Sequence, residues 1–72
     1  MNLTVSFDRE VDARWIASVA ELPGAHAYGT TRDEALAAVQ AIAFSILADE
    51  IQHGERDPRT VQSVVFLTDQ AA

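Results

Sequence analysis

The chain contains no cysteine and no lysine. Without cysteine it can form no disulfide and offers no thiolate to a metal, a composition that fits a reducing compartment. Without lysine, arginine supplies all five basic residues, and no basic cluster is present to track a phosphate backbone. No segment reaches the roughly 18 consecutive apolar residues of a membrane span. The opening MNLTVSFDRE has neither the basic start nor the unbroken apolar run of a secretion signal. The three glycines all read as turn residues, so no glycine-rich phosphate loop is available. Together these absences predict a soluble, cytoplasmic chain that binds neither membrane nor nucleic acid.

What the chain has in excess is acid. Eleven aspartates and glutamates against five arginines give a net charge of −6, with acids outnumbering bases in every third of the sequence. Such a surface repels nucleic acid and suits a basic protein partner. The 72 residues are read as one domain, 1–72. A domain of this size buries only about 60 % of the surface it exposes when unfolded. Small domains are usually held by a disulfide, a metal or a second subunit. With disulfides excluded, a homodimer or higher homo-oligomer is expected.

Residues 2–8 alternate, with Leu3, Val5 and Phe7 on one side and Thr4, Ser6 and Asp8 on the other, the period of a strand with one buried face. The run Arg14–Ala20 extends in the same way, with Trp15, Ala17 and Val19 on one face and Ile16 and Ser18 on the other. The short connection between the two runs predicts an antiparallel hairpin. Leu22-Pro23-Gly24 breaks the second run, and a third short strand is expected at Ala25–Tyr28. Thr31 followed by Glu34 has the spacing of a capping box, and it predicts a helix over Arg32–His53 that stops at Gly54. After the polar loop GERDPR a last strand is expected at Thr60–Thr68. The order β-β-β-α-β implies an α+β fold with the helix on one face of a four-stranded mixed sheet.

Two apolar surpluses need an outlet. At roughly 100° per residue, Leu36, Val39, Ala43, Ile46 and Leu47 form one helix stripe. Ile42 lies beyond one edge of that stripe, Phe44 and Ile51 beyond the other. In the last strand Val64, Val65, Phe66 and Leu67 are apolar on both faces, although only one face can meet the helix. Phe44, Ile51, Val64 and Phe66 are therefore the candidates for self-association.

On the other sheet face, His26 and Tyr28 share a side because they are two residues apart, and Ile16 and Ser18 join them. That semi-polar face, with the acidic Glu21 beside it, is the candidate partner surface: Glu21, His26, Tyr28 and Ile16. It is not a catalytic constellation, because no nucleophile or orienting carboxylate is nominated for His26. Asp49 and His53 have the four-residue spacing of two metal ligands on a helix, but no third ligand is evident, and neither a metal nor a cofactor is expected.

The segment DARWIASVAELPG, continued by YGTTRDEALAAVQAIAFSILADEIQHGE, resembles the HicB-type antitoxin family. The features that carry the likeness are Trp15 leading a strand, the turn Glu21-Leu22-Pro23-Gly24, the step Gly29-Thr30 and the helix start Glu34-Ala35-Leu36. The likeness covers about residues 3–55. It implies a partial, degenerate ribonuclease-H-like fold and a partner: a small basic ribonuclease toxin of the HicA type, whose active site the antitoxin blocks. Many members carry a C-terminal DNA-binding module. None follows the last strand within these 72 residues, and direct DNA binding is not expected. Active ribonuclease H enzymes hold two metals with several carboxylates. Here the first strand offers only Asp8, and Leu36–Ala48 holds no acid, so no enzymatic activity is expected. A solitary homo-oligomeric adaptor without a toxin is the alternative, and a residual metal-dependent nuclease a more distant one.

Overall fold

In the computed structural model, which describes residues 1–68, the alternation near the N-terminus becomes strand β1 (Asn2–Arg9), paired antiparallel with β2 (Trp15–Val19). The turn between them is tight. The Glu10 amide donates to the Arg14 carbonyl at 2.7 Å, and the Ala13 amide donates to the Glu10 carbonyl at 2.9 Å. To close this turn Ala13 takes φ 69°, the left-handed region in which a Cβ is strained. The Asp12 carboxylate secures the turn by accepting from the Arg14 amide and from its Nε.

Three residues of the ELPG turn have distinct tasks. Glu21 reaches back to β1, where its carboxylate accepts from the Thr4 amide at 2.7 Å and from the Thr4 hydroxyl at 2.8 Å. Leu22 turns inward and is among the most completely buried side chains. Gly24 adopts φ 87°, which lets the chain reverse into β3 (His26–Gly29). Strand β3 lies one residue later than the alternation suggests, and it pairs antiparallel with β2.

Helix α1 (Arg32–Gln52) begins where the capping pattern places it. The Thr31 hydroxyl accepts from the Glu34 amide at 3.1 Å. The Glu34 carboxylate in return takes the amide and hydroxyl of Thr30. At the other end His53 is the C-cap. The Glu55 amide bonds the Glu50 carbonyl and the Gly54 amide bonds the Ile51 carbonyl, while Gly54 supplies φ 70°. This is a Schellman closure.

The segment expected as one long strand from Thr60 divides. Pro58–Val61 forms a short 3-10 turn, and only Val65–Thr68 is strand, β4. The reason lies upstream: the Asp57 carboxylate caps the Arg59 amide, Pro58 presets the helical φ, and the Thr60 hydroxyl donates to the Asp57 carbonyl. Strand β4 runs parallel to β1, giving a mixed four-stranded sheet in the order β3-β2-β1-β4.

The core sits between the sheet and the helix. Leu3, Val5, Ala17 and Val19 point inward from the central strands, with Ala25 and Ala27 from the segment leading through β3. They meet Ala35, Val39, Ala43 and Leu47. This stripe corrects the expected one: Ala35 is fully buried, whereas Leu36 and Ile46 are only partly so. Small residues on both surfaces bring α1 close to β3, and Gly29 has no room for a side chain. A Cβ there would stand 2.5 Å from the Ala35 nitrogen and 2.8 Å from the Glu34 Cβ. Among the described residues, no helix is long and apolar enough to cross a membrane.

A candidate protein-docking face

The helix covers one side of the sheet, and the opposite side is open. Pairing register arranges that open side in rows. Tyr28, Ile16 and Asp8 form one row across β3, β2 and β1, and His26, Ser18 and Ser6 form the next. Further along, Thr4 stands beside Leu67 and Asn2 beside Val65. His26 and Tyr28, adjacent by alternation, thus each begin a row, and Ile16 lies directly next to Tyr28.

Arginine stacking organises this end of the molecule. The Arg14 guanidinium lies 4.6 Å from the Tyr28 ring centroid while its Nε bonds the Asp12 carboxylate. On the helix side of the sheet, Arg9 lies over Trp15 at 4.8 Å and Arg32 over Phe7 at 4.1 Å. Arg56 pairs with Glu50 and Arg59 with Asp57. All five arginines therefore have partners within the chain. Asp8, Glu10, Asp33 and Glu55 have no basic partner among the described residues.

Glu21 borders the open face, but its carboxylate is occupied by Thr4. The Thr4 amide and hydroxyl hold that carboxyl below the ordinary glutamate range. Its local role is to end the β1–β2 ladder, where the Ala20 amide has already taken the Thr4 carbonyl. The side chains of His26 and Tyr28 accept and donate no hydrogen bond among the described residues, and Tyr28 is 46 % exposed. No polar or charged side chain is buried among the described residues, and none of them form a cluster of three or more metal-ligating groups. Asp8, the one carboxylate of β1, stands beside Ile16. Asp49 and His53 meet, but the His53 ring is engaged with the Asp49 backbone carbonyl at 2.7 Å. The face offers contact surface, hydroxyls and charge, an arrangement suited to binding.

The four self-association candidates separate in space. Val64 precedes β4 and Phe66 points inward, both partly buried against the core. Phe44 is 51 % exposed, with its ring edge-on to Phe66 at 5.6 Å and 74°. Ile51 is half-buried in the last turn of α1. Val65 and Leu67, apolar in the sequence reading of the last strand but not among the four candidates, are 44 % and 48 % exposed and belong to the open face. The double-sided apolarity of the last strand was the available signal, and only the register with β1 says which residues face which way.

Compared with family models, with curated proteins and with solved structures, the chain matches none.

Proposed function

We propose that this chain is an antitoxin-like protein that binds a small basic ribonuclease of the HicA type and covers its active site. The observation that carries the reading is the excess of acid beside an open sheet face. The net charge is −6, and Asp8, Glu10, Asp33 and Glu55 have no basic partner among the described residues, so a basic protein is attracted to a molecule with an open, semi-polar sheet face. A basic enzyme that binds RNA phosphates presents the complementary field. The strand order and the parallel β1–β4 pair are compatible with a partial ribonuclease-H-like fold, the finer form of this architecture. Tyr28, Ile16 and His26 supply the contact surface, and Glu21 keeps the adjoining turn in place.

The test is co-expression with the small basic protein encoded beside this one, in a host whose growth that protein arrests. Growth is expected to return, and Tyr28→Ala is expected to weaken the rescue. Continued arrest with both proteins soluble and folded would overturn the proposal. A gene with no small basic neighbour would favour the adaptor alternative.

A further inference from the structure

The sheet has two edges, and they differ. Strand β3 is followed in sequence by Asp33 and Glu34 at the start of the helix, charges that repel a second acidic copy. Strand β4 ends the sheet on the opposite side, within a stretch, Thr60–Thr68, that holds no charged residue, although Asp69 follows it in sequence. Proteins commonly blunt an exposed edge with lysine, proline or an inward charge, and Val65–Thr68 has none of these. Its apolar side chains are also left unfinished on both faces. Val65 and Leu67 stand exposed on the open face, and Phe44 stands half-exposed against Phe66 on the helix side.

From these features we infer that β4 is a self-pairing edge: two copies of the chain join antiparallel, β4 to β4, about a two-fold axis at Phe66. The backbone supports this register. The Val65 amide bonds the Met1 carbonyl of β1, so by alternation along the strand the amide and carbonyl of Phe66 face the open edge. With the axis at Phe66, that residue exchanges both hydrogen bonds with its counterpart. Val65 then lies opposite Leu67 of the second copy, and Leu67 opposite Val65, giving two apolar cross-strand pairs on the open face. On the helix side the Phe44–Phe66 pairs of both copies come together. The contact is isologous, so it closes as a dimer and leaves no further β4 edge to extend. Two like-charged copies can approach here because the strand itself carries no charge. The inference does not depend on the ribonuclease partner.

Sedimentation equilibrium of the full chain at high micromolar concentration tests it. The expected mass is twice the 7.8 kDa of one chain. Leu67→Lys and Val65→Lys place a charge on exposed positions of the edge and are expected to give the single-chain mass with unchanged far-UV circular dichroism. Val11→Lys makes the same change of charge at the fully exposed hairpin tip and should remain doubled. A wild-type protein of single-chain mass overturns the inference, as do folded edge variants that keep the doubled mass. Should the edge variants unfold, hydrogen exchange of the wild type decides. A slowly exchanging Phe66 amide supports the paired edge, and a Phe66 amide exchanging as freely as the hairpin tip overturns it.

Discussion

At Gly29 strand β3 comes against the first turn of α1 with no room for a side chain, and the atoms in the way are backbone and Cβ. Gly29→Ala is therefore expected to force strand and helix apart and to destabilise the fold by about 2–3 kcal/mol, measured by urea denaturation. Ala13 presents the opposite case. It carries a side chain at φ 69°, where glycine is unstrained, and its side chain is exposed. Ala13→Gly should raise stability by about 1 kcal/mol in the same assay. The hairpin would then close with less strain. Gly29, expected in a turn, instead ends strand β3, whereas Ala13 sits in the hairpin turn without being glycine, so the choice at each follows from local geometry rather than from turn propensity.

At the scale of elements, capping ties the helix to pH. Glu34 accepts from the Thr30 hydroxyl and amide, and those bonds hold its carboxyl below the ordinary value of 4.5. A carboxyl depressed in the folded state stabilises it above the unfolded pKa, and that contribution is lost as pH falls through the lower folded value. The melting temperature of the wild type should therefore decline as pH drops below about 4.5, and Glu34→Gln should show a shallower decline over the same range. Identical declines in the two proteins would show that the cap does not titrate. The helix start, the hairpin and the inward faces of β1 and β2 were legible in the sequence, because Thr31–Glu34 spacing and period-two alternation are local signals. The short last strand was not: Thr60 and Val61 have strand propensity, but Asp57-Pro58 nucleates a helical turn that captures them. The buried stripe of α1 was legible only in part, since the place of Ala35 depends on how near β3 comes. Of the candidate face, His26 and Tyr28 could be put on one side by parity alone. The addition of Val65 and Leu67 required a parallel register between segments far apart in the chain.

For the molecule as a whole, a single covering helix leaves one sheet face and one uncharged edge strand available, with Val65 and Leu67 shared between them. A dimer closed through β4 would carry two open faces, one on each copy. The net charge of −6 has a consequence for kinetics. On the proposed reading, long-range attraction draws a basic protein in before orientation matters. Salt should act mainly on this first step, since the Debye length shrinks to about 8 Å at physiological ionic strength. If the proposed basic partner docks on the open face, stopped-flow mixing with it is expected to show an association rate that falls several-fold as salt rises, while dissociation changes little. The chain would then be quick to find its partner in dilute salt and no less able to keep hold of it in concentrated salt.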